Sequence, residues 1–388
     1  MRNWLYSCKD QHSLCPSRSD HLLPTRVLDV GSEINEPHLV LSEGKSGQWA
    51  SLSHCWGGAI TLKTETRTIA SRCQGIPMED FPPTFQDAIL ITRNLGIRYL
   101  WIDALCILQD SQEDWITQTA KMDYIYEQAT VTIAAEASPD CLTGIVKSTC
   151  DQRHNQPMLP KTWCFSKVKN VRGMIQFRVD IESRITRRSR GALSDRGWTL
   201  QEEILSPCIL RFSAQQVMWR CPTFQFTEWQ PQRVQKTRLT GKPDFARPLY
   251  DKLLMKSDSA TAQAILDHNG RAISLSSFWY KEVANQYANR NLTFESGKLV
   301  ALSGIAKKVA DISGWRYIAG LWLEDLHSGL AWLTPKANAI KHKTYIGPSW
   351  SWAQIDCAGT PDPRHEPLYT NDHVSSVTPL AEVIGIRR

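Results

Sequence analysis

Apolar and polar positions along the chain predict alternating strands and helices from about residue 48 onward. Ala50-Ser51-Leu52-Ser53-His54 alternates with the period of a strand and runs into a turn, Cys55-Trp56-Gly57-Gly58. Pro82-Pro83-Thr84 then opens a helix in which Phe85, Ala88, Ile89, Thr92 and Leu95 keep helical spacing, with Gly96 as its C-terminal stop. Ile97 to Asp103 is an apolar run short enough for a buried strand. Ser111-Gln112-Glu113-Asp114 resembles a capping box with aspartate in the usual glutamate position. Behind it Trp115, Thr119, Met122, Ile125, Tyr126 and Ala129 form one helical face, and the β-branched run Thr130 to Ala135 reads as a third strand.

Strand–helix–strand–helix–strand implies βαβ crossovers, so the strands at 50–54, 97–103 and 130–135 are expected side by side in one buried parallel sheet. Ligands of such sheets sit beyond the carboxyl ends of the strands. That puts Ser53 to Gly57 and Asp103 to Asp110 at one candidate site. Residues from about 139 to 194 are less regular and read as an insertion with some β character. Beyond residue 249 separate apolar clusters, such as Tyr317 to Trp322 and Ser349-Trp350-Ser351-Trp352, suggest a second domain or a large appendage.

A chain of 388 residues suits two domains or one with large additions, and 42% hydrophobic with 22% charged residues is ordinary for a globular protein. A net charge of +6 is mild at this length. No patch of interleaved basic and aromatic residues recurs, so nucleic acid is not an expected partner. The one dense basic run, Arg184, Arg187, Arg188 and Arg190, reads as a solvated loop, with a phosphate clamp as the alternative. Eleven cysteines do not make a disulfide scaffold at this length, and the first residues lack the apolar core of a signal peptide. A reducing, cytoplasmic setting without membrane contact follows as the expectation, since the most apolar window, Tyr99 to Leu108, is too short to span a bilayer. Fifteen tryptophans imply well-filled cores or aromatic pockets.

The familiar phosphate-loop, dinucleotide, zinc-protease and nucleophile-elbow signatures are absent. Cys8, His12 and Cys15 have spacing compatible with three zinc ligands, with His21 as a fourth. No paired CxxC knuckle accompanies them, and Trp4, Cys8 and His12 also fit one face of a short helix. No bound metal is expected there. His54 and Cys55 are adjacent on a strand end and point to opposite faces, so they do not pair as base and thiol; Cys55 and Cys106 read as buried, inert thiols. Asp103 closes an apolar strand, where a charge needs a use or a partner.

In Arg196-Gly197-Trp198-Thr199-Leu200-Gln201-Glu202-Glu203, the tryptophan and Glu202 stand four apart on a helix and share a face. With Trp198, Leu205 and Ile209 setting the packed side, Glu202 is expected to lean inward and Glu203 to point away. Arg196 stands at the helix start, ready for an anion or a carboxylate.

Four blocks, LSHCWGG (52–58), FPPTFQDAILITRNLGIRYLWIDALCILQDSQEDW (81–115), MDYIYEQATVTIAA (122–135) and RGWTLQEEILSP (196–207), resemble the fungal heterokaryon incompatibility (HET) domain and occur in its order. The resemblance implies a TIR-like, flavodoxin-like α/β domain over 49–206 carrying the insertion at 139–194. A 48-residue N-terminal extension would precede it, and residues 207–388 would complete the fold or form an α+β appendage. It further implies a role in fungal self/non-self recognition ending in cell death. Many TIR domains carry a tryptophan followed four residues later by a glutamate that is catalytic in the NAD-cleaving members, and Trp198 and Glu202 reproduce that spacing.

On this resemblance Glu202 is the expected catalytic residue. Ser53, His54, Trp56, Gly57, Asp103, Arg196 and Trp198 are the expected substrate-binding residues. NAD would be a substrate, with no resident cofactor. Two alternatives stay open: a non-enzymatic module that assembles with itself or with other HET or TIR-like domains, and a biosynthetic enzyme reusing the scaffold.

Overall fold

A computed structural model describes residues 1–12, 15, 20–58, 62–154, 161–166, 171–176, 191–214, 216–228, 230–236, 264–266, 272–288, 290–292, 294–332 and 340–356. The basic run at 184–190 lies outside them.

The chain opens with helix α1 (Arg2–Gln11), then strands β1 (Arg26–Asp29), β2 (His38–Leu41) and β3 (Trp49–Ser53). Helix α2 (Pro83–Leu95) starts with proline in its first turn, where the missing N–H costs nothing. It stops at Gly96, whose φ of 76° is left-handed. Strand β4 (Tyr99–Trp101) leads through the short helix α3 (Asp103–Cys106) to α4 (Gln112–Thr119), α5 (Met122–Glu127) and strand β5 (Val131–Ala134). After the 139–194 region come α6 (Trp198–Leu205) and strands β6 (Ile209–Phe212), β7 (Val217–Arg220), β8 (Phe224–Thr227) and β9 (Gln230–Lys236).

These nine strands form one sheet in the order β9-β8-β7-β6-β5-β3-β4-β1-β2. Its centre, β6-β5-β3-β4, is parallel, while β7 to β9 and β1 to β2 add antiparallel strands at the two edges. The three strands expected as neighbours are neighbours and parallel, with Ala50 opposite Leu100 on one side and Val131 on the other. The sheet runs past 49–206 at both ends: β1 and β2 belong to the first 48 residues, and β6 to β9 to the last 182 of the chain's 388 (388 − 206). Within the 139–194 region, Lys161–Ser166 and Val171–Gln176 form an antiparallel hairpin.

Period-two alternation sorts the strands between two cores. Ala50, Leu52, Leu100, Ile102, Val131 and Ile133 pack with Leu5 of α1 and with Phe85, Ala88 and Ile89 of α2. Trp49 and Trp101 face the other side, against Met122, Ile125 and Tyr126 of α5 and Leu200, Ile204 and Leu205 of α6. The C-terminal region joins this second core. Trp279, Tyr287, Ile305, Val309, Trp322 and Trp352 are buried in it. Helix α7 (Ser303–Ser313) lies on α5 and α6, where the Gly304 N–H donates to Gln201 Oε1 at 2.8 Å and Lys307 pairs with Asp123 at 2.8 Å. Among the described residues six tryptophans are fully buried, so a good part of the high tryptophan count goes into core.

The helix expected behind Ser111 is two helices. Ser111 caps the first through the Asp114 N–H at 3.2 Å, but the Asp114 carboxylate turns away to Arg26 and the Leu108 N–H, which leaves half a capping box. The Thr119 hydroxyl bonds back to the carbonyls of Trp115 and Ile116, a contact that bends helices, and the chain breaks at Ala120-Lys121. Met122, Ile125 and Tyr126 stay buried, whereas Trp115 is 39% exposed.

Candidate functional site

The parallel strands run in the order second, first, third, fourth, so the direction of winding reverses between β3 and β5. Such a reversal opens a crevice at the carboxyl ends of the two strands. A narrow cleft lies there, with Ser53, Thr132, Ala134, Glu136, Leu193, Thr199, Glu202, Glu203 and Arg211 on its walls.

Helix α6 covers this crevice because of its first residues. Gly197 sits where the segment around Asn291 crosses: its N–H donates to the Asn291 carbonyl at 2.7 Å, and a Cβ would stand 2.5 Å from Leu292 Cδ2. Any larger residue would have to push the Leu292 side chain aside. The turn starts α6 at Trp198 and brings Glu202 over the end of β3.

Glu202 is 7% exposed, and the Ser53 hydroxyl donates to its carboxylate. The Tyr126 hydroxyl reaches both that carboxylate and the Leu52 carbonyl, the latter at 3.2 Å. A line of buried hydroxyls continues beneath the helix. Ser51 and Thr132 are 2.7 Å apart, Thr132 and Ser206 are 2.6 Å apart, and Ser206 donates to the Glu202 carbonyl at 2.6 Å. Burial raises the Glu202 carboxyl to about 7; the Asp103 charge adds to the rise, and Ser53, Arg196 and Tyr126 oppose it. Near neutral pH the group is therefore divided between its neutral and ionised forms, and it is ionised above that range, as a charge-stabilising carboxylate needs to be.

Glu203 borders the same cleft, contrary to the expectation that it points away. Arginines on β6, on β7 and beside Asn291 turn that side of the helix into an ion-pair network: Arg211 lies 2.6 Å from Glu203, Arg220 3.6 Å and Arg290 3.8 Å. Arg211 also bonds Glu136 at 3.1 Å, at the end of β5. Sequence reasoning passed over Glu136 although the strand-end rule that picked out Asp103 applies to it equally.

A second cluster forms around Asp103. Trp56 Nε1 donates to Asp103 Oδ2 at 2.7 Å, and the Ala104 N–H donates to Oδ1 at 2.7 Å, so the carboxylate both anchors the Trp56 turn and starts α3. His54 lies on the α2 side of the sheet, edge-on to Phe85. Burial lowers its imidazole to about 4, so the ring is neutral at pH 7 and its 3.8 Å approach to Asp103 is not an ion pair. Gly57 has a φ of +73°, and a Cβ there would meet Asp140 Cβ at 2.3 Å. Arg196 links the two clusters: it donates to the His54 carbonyl at 2.8 Å while its charge acts on Glu202.

The structure thus brings Ser53 and Glu202 together in the cleft, and joins His54, Trp56 and Asp103 beside it. These three do not line the cleft wall. Trp198 packs edge-on against Trp115 and over Gly297, not along the cleft. Cys55 and Cys106 are buried, and burial raises their thiols to about 11 and about 12, which leaves neither as a ready nucleophile.

The fold and site define an α/β protein with a buried acidic cleft at its strand switch point. Residues 49–202 match the family model for heterokaryon incompatibility protein (HET), which supports the HET protein family for this part of the chain. Comparisons with curated proteins and with solved structures give no match. Among the described residues, no helix is long and apolar enough to cross a membrane.

Proposed function

We propose that this HET-domain protein acts in fungal heterokaryon incompatibility by cleaving NAD or a related nucleotide at its N-glycosidic bond, with Glu202 as the catalytic carboxylate. The observation that carries the reading is a buried carboxylate, raised to about 7, held by Ser53 at the crevice between β3 and β5. The strand order β4-β3-β5-β6 is that of flavodoxin-like sheets, which bind nucleotides at this crevice, and it supports the TIR-like reading.

In this mechanism the ionised Glu202 accepts hydrogen bonds from the ribose hydroxyls and stabilises the oxocarbenium-like state as nicotinamide departs with the bonding electron pair. Water adds to the sugar carbon and releases a proton, giving nicotinamide and ADP-ribose. Ser53 and Tyr126 fix the carboxylate, and the arginine-bound Glu203 holds α6 in place. Incubation of the pure protein with NAD, followed by chromatography, should show nicotinamide and ADP-ribose in equal amounts. Intact NAD at high protein concentration, together with concentration-dependent self-association, would favour an assembly module instead.

A further inference from the structure

Three N-terminal residues and one from the far edge of the sheet meet on the side opposite Glu202. Cys8 on α1, His12 just after it, Cys15, and Cys221 in the turn between β7 and β8 bring their ligand atoms within 4.8 Å of one another. His12 Nδ1 is 3.6 Å from Cys15 Sγ and 3.4 Å from Cys221 Sγ. Zinc–sulfur and zinc–nitrogen bonds of about 2.3 and 2.05 Å give tetrahedral edges of about 3.8 Å between sulfurs and about 3.6 Å between sulfur and nitrogen. The two His12–sulfur distances match such an edge, and every other pair of ligand atoms lies within 4.8 Å, close enough for one ion to draw the four groups together.

The surroundings fit a thiolate site. The Phe224 N–H donates to Cys221 Sγ at 3.3 Å, and the Thr223 hydroxyl lies 3.5 Å from Cys15 Sγ. The His12 ring is fixed edge-on to Phe224 at 4.6 Å, which aims Nδ1 at the sulfurs. Such outer contacts orient ligands and offset thiolate charge. Cys208 Sγ lies 3.8 Å from Cys8 Sγ, far beyond the roughly 2.05 Å of a disulfide. Cys8, His12 and Cys221 are buried, where ionised thiols without a cation would be costly.

We infer that Cys8, His12, Cys15 and Cys221 bind a structural zinc ion. The expectation of no metal rested on the missing CxxC knuckle and on the helix face shared by Trp4, Cys8 and His12; Cys221 brings a ligand from 209 residues beyond His12, a separation that sequence spacing does not reveal. Four protein ligands leave no open position, so the ion does no chemistry and instead ties α1 to the β7–β8 edge.

The test is elemental analysis of the full chain expressed in zinc-containing medium and purified without added metal. One zinc per chain is expected, lost in Cys8→Ser and in Cys221→Ser and retained in Cys73→Ser. Those losses could reflect misfolding, so the unmodified protein is also titrated with a mercurial, which should release zinc as the thiols react. Cobalt(II) in its place should give the visible bands of tetrahedral thiolate coordination, shifted but present in His12→Cys. Metal-free protein that takes up neither zinc nor cobalt, iron in place of zinc, or zinc retained in both serine variants would overturn the assignment.

Discussion

Replacing Glu202 by glutamine separates the cost of burying its charge from its role in the cleft. Glutamine keeps the shape and accepts the Ser53 hydrogen bond, but never ionises. In the folded chain the carboxyl titrates at about 7 against an ordinary value of 4.5 because it is buried. A raised carboxyl favours the fold in its protonated form, so its contribution is full below pH about 4.5 and is lost as pH rises through about 7. At roughly 1.4 kcal/mol for each tenfold change in proton affinity, the rise from 4.5 to about 7 corresponds to about 3 kcal/mol.

Above pH about 8, where the native group is ionised, Glu202→Gln is therefore expected to be more stable than the native protein by up to about 3 kcal/mol. Near pH 5, where the native group is already neutral, the two should agree within about 1 kcal/mol. Urea denaturation at both pH values measures the difference. A variant that loses more stability at the higher pH than at the lower would refute the reasoning, since it would mean that Arg196 and the hydroxyls make the ionised form the favoured one. A gain in stability with a loss of activity is the expected mark of a residue kept for function.

His54 acts in the opposite sense. Burial lowers it from 6.5 to about 4, so its contribution is present above pH about 6.5 and is lost as pH falls through about 4. Glu202→Gln should unmask this decline in a pH series of denaturation midpoints, and adding His54→Leu should flatten it; an unchanged slope would count against a neutral buried imidazole. Glu203→Gln leaves Arg211, Arg220 and Arg290 short of their shared partner and should cost about 1–3 kcal/mol in urea denaturation at neutral pH. A neutral result there would mean that the arginines are held by other groups.

Much of the central sheet was legible because strands and helices carried their own periodicity. Ala50 to Ser53, Tyr99 to Trp101 and Val131 to Ala134 lie within the runs expected, and Pro83 and Gly96 bound α2 as expected. The other strands were not legible: β1, β2 and β6 to β8 are only four residues each, and where β1 and β6 join the sheet is set by pairing with β4 and β5, segments distant in the chain. Glu202 could be placed from its four-residue spacing to the helix start. Glu203 could not, because its surroundings come from Arg211, Arg220 and Arg290, on β6, β7 and a segment nearly ninety residues away. The same holds for Cys221 beside Cys8 and His12. Trp198 shows the converse: spacing put it on the face of Glu202, but Trp115, left exposed by the helix break, gives its indole a packing partner away from the cleft.

The most direct test of the account compares NAD cleavage by the native protein and by Glu202→Gln, at matched folded concentration and saturating NAD, followed by nicotinamide release over time. The account predicts release that increases with pH through about 7 in the native protein, and a rate reduced on the order of a hundredfold or more in the variant, the size expected for a preorganised charge-stabilising group. Equal rates in the two proteins, or no release from either, would contradict it.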